Sequence, residues 1–584
     1  MKKLIKLITE VFENAFEEAG YDKSLGMVTS SNRPDLCQYQ CNGAMAGAKK
    51  YKKRPLDIAQ EVVAKINSDI FSEVVVVNPG FINIKLQDSY LKNYIEAIAA
   101  DSKFGVEASL NPQTIVLDYG GANVAKPLHV GHLRTAIIGE TIKRMAKYLG
   151  HTVIGDVHLG DWGLQMGMII TEVKRRNPEL PYFDDSFTGE YPEEAPFTIS
   201  DLEEIYPTAS KKAKEDPALM QEAQAATVEL QNGKPGYVAL WKHILNVSKR
   251  DLKKNYDNLN VDFDLWNGES DSQKYIDTVV TYLKENNYAY ESKGALVVDV
   301  AEETDTKEIP PIIILKSDGA SLYSTTDVAT IYERVKEFNP DTIMYVVDKR
   351  QELHFEQVFR CVNKTKIASE KLNLQFIGYG TMNGKDGKPF KTREGGVMRL
   401  ENLVGQVRDT VKAKILENKS EMDGAEAEDI AKKVGLAAVK YGDLSNQISK
   451  DYIFDIDKFT SFDGKTGPYI LYTIVRIKSI LRKAGKISEG ELLAPKSATE
   501  RDILLKVTTF NDTLEFSFNE RAPHKLCEYM FELANLFNKF YGENKILSEE
   551  NEATKASWLK LISIVKNVLE TCCDIMAIEV PEKM

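Results

Sequence analysis

The spacing of apolar and polar positions divides the 584-residue chain into three regions. The first residues, Met1-Lys2-Lys3-Leu4-Ile5, begin like an export signal, but acids follow at Glu10, Glu13, Glu17 and Glu18. That pattern reads as an amphipathic surface helix. A helical stretch over 42–66, with Pro55 opening its second half, precedes the β-rich run Val74-Val75-Val76-Val77. After the turn at Pro79-Gly80, the alternation Asn83-Ile84-Lys85-Leu86 suits a half-buried strand. Residues 1–110 are therefore expected to form an α+β module. From about 112 the pattern becomes apolar strand, Gly-rich turn, long helix. Thr114-Ile115-Val116-Leu117 reads as a buried parallel strand, 133–149 as a helix closed by Gly150, and Thr152-Val153-Ile154 as the next strand. Runs at 342–347 and 374–379 repeat the strand signal beside helical segments, which predicts a doubly wound parallel sheet across 111–400. A polar stretch at about 175–250, rich in Glu, Asp, Pro and Ala, interrupts it and reads as a helical insertion. From 401 to 584 helical periodicity dominates; Leu561, Ile562, Ile564, Val565, Val568 and Leu569 form one apolar stripe.

Composition adds modest limits. Hydrophobic residues make up 43% and charged residues 28%, enough for several ordinary cores. No run reaches the ~18 apolar residues of a membrane span, so no membrane partner is expected. Cys37, Cys41, Cys361, Cys527, Cys572 and Cys573 include no second pair to complete a zinc site. They read as buried thiols in a reducing compartment, with the cytoplasm as location and no protein-bound metal. The net charge of −12 argues against a nucleic-acid partner only on average. Lys49, Lys50, Lys52, Lys53 and Arg54 form one basic run; Lys465 to Lys486, with Arg476, Lys478, Arg482 and Lys483, forms another. Either run could be a solvated face or a phosphate contact.

The densest chemistry lies in Asp118-Tyr119-Gly120-Gly121-Ala122-Asn123-Val124-Ala125-Lys126-Pro127-Leu128-His129-Val130-Gly131-His132. It joins the first parallel strand to a helix N-terminus, where free N–H groups attract phosphate. His129 and His132 share one face of the opening turn, and Gly131 permits close approach of a nucleotide. Alone, H-x-G-H could equally be two histidines capping a helix.

The stretch from Asn123 to His132 resembles the HIGH signature of class I aminoacyl-tRNA synthetases, in the N-V-A-K-x-x-H-V-G-H form of the arginyl enzymes. His158-Leu159-Gly160-Asp161-Trp162-Gly163 with Gln165 and Gly167, Tyr323-Ser324-Thr325-Thr326-Asp327, and Asp348-Lys349-Arg350-Gln351 with His354, Phe355 and Gln357 resemble further blocks of that family. Val580-Pro581-Glu582-Lys583-Met584 matches its usual ending. The resemblance covers nearly the whole chain. It implies a Rossmann-type catalytic domain over 111–400, an N-terminal tRNA-elbow module over 1–110 and a helical anticodon-binding domain over 401–584.

The K-M-S-K-S loop of class I enzymes is absent. Its positional counterpart runs from Gly384 to Gly396, where glycines bracket Lys388, Lys391 and Arg393. A surface hairpin is the bland alternative to a mobile loop that neutralises pyrophosphate. The resemblance implies that Lys126 substitutes for the missing lysine. It also implies that His129, Gly131, His132, Lys388, Lys391 and Arg393 hold ATP, accompanied by Mg2+ through phosphate and water ligands. A guanidinium calls for carboxylates, and the family places acids at Asp118 and Asp327, with Tyr323 lining the pocket. Asn123 and Gln351 resemble the residues that hold the α-amino and carboxylate groups. The implied reaction forms arginyl-adenylate and passes arginine to the 2′-OH of the terminal adenosine of tRNA-Arg, with activation itself requiring the tRNA. Tyr469, Tyr472 and Arg476 fall on one helical face suited to stacking bases, and Asn42 is the expected base contact of the N-terminal module. A monomer is expected.

The chain departs from the family pattern at Gly121-Ala122, Val157, Leu164 and Met166, which is expected to alter packing or KM. A class I synthetase for another amino acid, a generic nucleotidyltransferase and a catalytically silent tRNA-binding relative are the competing readings. Asp118 and Asp327 argue against the first and the flanking modules against the second. His129, His132, Lys126, Lys391 and Arg393 argue against the third.

Overall fold

Thr114-Ile115-Val116-Leu117 has no alternating polar position, and such a run is a strand only where both faces are covered. In the structure, a computed structural model that describes residues 2–33, 35–317, 319–390, 398–418, 423–485 and 490–584, it forms the strand Thr114–Asp118. It lies inside a parallel sheet ordered Asn373–Tyr379, Thr342–Asp348, Thr114–Asp118, Thr152–Asp156. Register sets Asp118 beside Tyr345 on one side and Asp156 on the other. The chain leaves Thr114–Asp118 for one neighbour and later returns to the opposite one. The winding therefore reverses beside this strand, and a crevice opens at its carboxyl end.

The sheet belongs to a compact unit of residues 109–461 and 575–579. The helix Gly131–Tyr148 follows the first strand and is buried along most of its length. Arg134 within it donates from Nε to Asp443 Oδ2 (3.0 Å) and from Nη1 to the Gly380 carbonyl (2.7 Å). The insertion is helical: Leu164–Arg176 leads into Ile199–Glu215, Pro217–Gln231 and Pro235–Asn258. Thr198 and Asp201 form a reciprocal cap on the second of these, and prolines open the last two. An antiparallel trio, Ala289–Ser292, Ala295–Val298 and Ile312–Leu315, was not foreseen from the sequence. Its strands are only four residues each, too short to show a period. Leu400–Asn418 and Gly424–Leu444, read in the sequence as the start of the last block, lie within this sheet-bearing unit. Gly424–Leu444 is buried over most of its length, with Asp443 held by Arg134.

The second unit comprises 1–108, 462–574 and 580–584. Its antiparallel sheet is ordered Val28–Ser30, Tyr39–Cys41, Phe81–Leu86, Phe71–Val77. The helices Gly467–Ala484, Ala498–Thr508, Phe510–Asn519, Pro523–Glu543 and Glu552–Ile575 make up its other half. The two halves share polar links as well as a contact surface. Lys3 pairs with Asp512 and Glu515, Arg501 with Asp88, and Lys560 with Glu96. All six cysteines are buried, with no disulfide among the described residues. Among the described residues no helix is long and apolar enough to cross a membrane.

Candidate active site

The link from strand to helix is tied down by backbone bonds. Val124 N–H donates to the Gly160 carbonyl (3.1 Å) and Gly160 N–H to that of Ala122 (3.0 Å). A Cβ at Gly160 would stand 2.2 Å from Asn123 Oδ1, so glycine lets the Asn123 amide lie against the neighbouring loop. Ala125 takes φ +58° and donates its N–H to Ser248 Oγ at 2.8 Å. Lys126 follows, its ammonium 4.5 Å from the centre of the Tyr206 ring.

His129 and His132 stand with ring centres 4.0 Å apart. Gly131 N–H donates to His129 Nδ1 (3.0 Å), and His129 N–H donates to His132 Nδ1 (3.1 Å). Burial lowers both imidazoles' affinity for protons, His132 to about 3, and nearby Lys126 reinforces this. Both rings are thus neutral at pH 7. With each Nδ1 accepting, the proton of each sits on Nε2, so the turn offers two N–H donors without charge. Gly131 has a local reason beyond ligand approach: a Cβ there would fall 2.8 Å from the His129 ring.

The carboxylates separate into two groups. Asp118, which the resemblance assigns to the guanidinium, ends a central strand, is 6% exposed and accepts Arg334 Nη2 at 2.6 Å. The same Nη2 lies 2.8 Å from Asp156, and His158 Nδ1 lies 3.7 Å from Asp156. Asp118, Asp156 and His158 cluster closely enough to suggest a metal site. The Arg334 guanidinium already supplies the compensating charge there, and the carboxylates beside His158 raise its pKa to about 9. Asp327, on the helix Tyr323–Phe338, is partly exposed and bonded to His354 Nε2 at 2.5 Å. Near it stands Glu269, the first residue of the helix Glu269–Glu285, whose N–H donates to the Leu159 carbonyl. Burial, with Asp161 and Asp327 nearby, pushes the Glu269 carboxyl up to about 7. Sequence reading missed Glu269, Arg334 and Asp156, because the neighbours that give each its meaning lie far away along the chain. Tyr323 is 69% exposed at the start of its helix; desolvation of its phenol, with Glu269 and Tyr206 nearby, raises its pKa. Gln351 is exposed just beyond the strand Thr342–Asp348.

The Gly-rich segment begins as a hairpin in which Gly384 N–H donates to the Lys388 carbonyl and Lys385 pairs with Asp455 and Asp457. Lys388 is exposed at its tip. Lys391 and Arg393 lie outside the described residues. Just after them, Val130 N–H donates to Met398 O and Leu400 N–H to Leu128 O, and Arg399 pairs with Glu203 of the insertion. The segment's far end is therefore bonded to the two-histidine turn itself. Between turn and hairpin lies a cavity of about 200 Å³ lined by His129, Gly131, Arg134, Asp348, Tyr379, Gly380, Met382 and Phe390, among others. A larger one, about 570 Å³, lies apart from this chemistry among insertion residues such as Phe197, His243 and Arg250. Of the departures from the family pattern, Ala122, Val157 and Met166 are buried.

In the second unit, Tyr469, Tyr472 and Arg476 share a face of Gly467–Ala484. Arg476 donates to Asn538 Oδ1 (2.7 Å) and Tyr472 OH (3.1 Å), and Tyr469 OH donates to Asn535 Oδ1 (2.6 Å). Tyr472 stays 40% exposed. Asn42 is exposed at the start of Gly43–Tyr51, with no capping bond from its side chain. In the basic run beside it, Lys50, Lys53 and Arg54 pair with Asp22, Glu61 and Asp57, while Lys49 and Lys52 are exposed.

These features have close counterparts in known proteins. Residues 94–456 match the family model for tRNA synthetases class I (R), catalytic domain. Residues 2–86 match the arginyl tRNA synthetase N terminal domain and 470–584 the DALR anticodon binding domain. The arginine--tRNA ligase of Alkaliphilus oremlandii is 62% identical over 588 residues, and that of Agathobacter rectalis 59% over 597, each covering 100% of both chains. The crystal structure of arginyl-tRNA synthetase from Plasmodium falciparum superposes with a TM-score of 0.81 at 28% identity, again covering 100% of each chain. With all three domains matched in order and full-length relatives at this identity, the chain belongs to the arginyl-tRNA synthetase family of class I.

Proposed function

We propose that the chain is an arginine–tRNA ligase that activates L-arginine with ATP and loads it onto the terminal 2′-OH of tRNA-Arg, releasing pyrophosphate and AMP. One observation supports the chemistry: two neutral histidines with Nε2–H donors stand at the strand–helix turn, and a separate pair of neighbouring carboxylates, Asp327 and Glu269, is available to a cation. The arginine carboxylate attacks the α-phosphorus, so the enzyme's task is positioning and charge neutralisation. His129 and His132 donate to the phosphate oxygens as charge builds there, with Gly131 leaving room for the triphosphate. Lys126, Lys388, Lys391 and Arg393 neutralise the departing pyrophosphate. The cavity between turn and hairpin takes the nucleoside end of ATP. Mg2+, held through phosphate and water, would accompany the triphosphate and offset part of its charge.

Asp327 and Glu269 receive the guanidinium, while Tyr323 covers it. Asp118 acts beneath them by fixing Arg334. Asn123 and Gln351 hold the α-amino and carboxylate groups. Tyr469, Tyr472, Arg476 and Asn42 contact the tRNA, whose binding is required for activation. The enzyme works as a cytoplasmic monomer, without a membrane. A silent relative would have no use for paired Nε2–H donors at the phosphate turn. Charging of total tRNA with each of the twenty amino acids tests the proposal. Incorporation of arginine alone is expected; incorporation of another amino acid, or of none while tRNA still binds, contradicts it.

A further inference from the structure

The helical insertion contacts two adjacent residues outside itself, Ala125 and Lys126. Tyr206, on Ile199–Glu215, places its ring 4.5 Å from the Lys126 ammonium. Ser248, on Pro235–Asn258, accepts the N–H of Ala125, which holds a left-handed backbone conformation immediately before Lys126. The Tyr206 ring is itself seated: with Leu164 and Met220 it packs on a small apolar cluster of Met168, Ala209, Ala213 and Ala223. One turn earlier on its helix, Glu203 pairs with Arg399, which follows the Gly-rich loop. Among the described residues no carboxylate pairs with Lys126. An ammonium on a four-carbon stem without an anionic partner samples many rotamers, and an aromatic face holds it without neutralising it. A carboxylate in that place would cancel the charge that the pyrophosphate needs.

We propose that Tyr206 is a positioning residue for Lys126, so that the insertion presets the cation that works on the leaving group. The inference rests on the reading that Lys126 stands in for the missing loop lysine. Tyr206 itself touches no reacting atom. Its ring confines Lys126 in the free enzyme, and its neighbourhood with Tyr323, whose phenol it perturbs, places the insertion helix beside the arginine pocket as well.

The test is tRNA-dependent ATP–pyrophosphate exchange on the full chain, measured for wild type, Tyr206→Leu, Tyr206→Phe, Lys126→Ala and the double variant Tyr206→Leu/Lys126→Ala. Tyr206→Leu is expected to lower kcat about tenfold, ~1.4 kcal/mol on the barrier, with arginine KM within about twofold. Tyr206→Phe keeps the ring face and is expected to restore kcat. Added to Lys126→Ala, Tyr206→Leu is expected to cost almost nothing further. Equal loss from Tyr206→Leu with and without Lys126, or no rescue by Tyr206→Phe, overturns the inference and leaves Tyr206 a packing residue. If Lys126→Ala itself keeps full kcat, the reading of Lys126 fails first, and the inference falls with it. A thermal melt of each variant separates loss of fold from loss of rate.

Discussion

Asp327 and Glu269 illustrate how a carboxylate's worth depends on what surrounds it. Asp327 is partly exposed and tied to His354, a geometry that leaves its charge available to a guanidinium. A charge-assisted bond of this kind is worth ~1.5–3 kcal/mol. Asp327→Asn is therefore expected to raise arginine KM by about 10- to 150-fold with a smaller effect on the KM for ATP, measured by steady-state charging. Glu269 differs, because burial holds its pKa at about 7 in the free protein. Below that value it carries a proton and offers the cation less. Arginine KM is expected to rise as pH falls from about 8 to about 6, and Glu269→Gln to flatten that dependence. An unchanged pH profile in Glu269→Gln would remove Glu269 from the pocket. The same shift has a stability consequence of fixed sign. The folded state holds a proton that the unfolded chain releases above 4.5, so Glu269 favours folding below 4.5 and loses that contribution as pH rises through about 7. His132 acts on the acid side. Its pKa is depressed from 6.5 to about 3, so the folded state loses ground as pH falls from 6.5 toward 3. His132→Gln is expected to be less acid-labile over that window in urea titrations.

Among the elements, the helix Gly131–Tyr148 bears the most weight, and Arg134 shows why. Its guanidinium joins the helix to the Gly380 and Lys450 carbonyls and to Asp443. Arg134→Met would leave the Asp443 charge buried without its partner, at a cost of ~3–5 kcal/mol, readable as a lower urea midpoint. Thr114–Asp118, the two-histidine turn and the helix after it were legible in the sequence, because strong apolar runs and a Gly-rich link are local signals. The helical insertion was legible too, from its polar composition and prolines. The short strands around Ala295–Val298 were not, since four residues cannot show a period. Nor could spacing reveal that Asp118 pairs with Arg334, which lies 216 positions away and is brought to it only by the fold. Glu269 was missed for the same reason. Its helix start looks ordinary until the Leu159 carbonyl and Asp327 are placed beside it.

For the whole molecule, the first block read in the sequence and most of the last pack into one compact unit, and the middle block with residues 401–461 forms most of the other. Residues as far apart as Asp88 and Arg501 meet within the former unit at 2.6 Å. No local pattern encodes such a pairing; the complementary faces exist only after each half has folded. Calorimetry is expected to resolve two unfolding transitions, with the N-terminal module and the C-terminal helices melting together. ATP and arginine should raise only the transition of the sheet-bearing unit, by ~2.7 kcal/mol at ligand concentrations about 100-fold above Kd. A separate, earlier transition for residues 1–108 would contradict the two-unit account.

The most direct test of arginine activation at the two-histidine turn is ATP–pyrophosphate exchange with arginine, with and without tRNA, on wild type and His132→Ala. Arginine-dependent exchange that needs tRNA and collapses in the variant is expected. Exchange that survives undiminished in His132→Ala, or none in a folded wild-type protein that binds tRNA, would contradict activation at this turn.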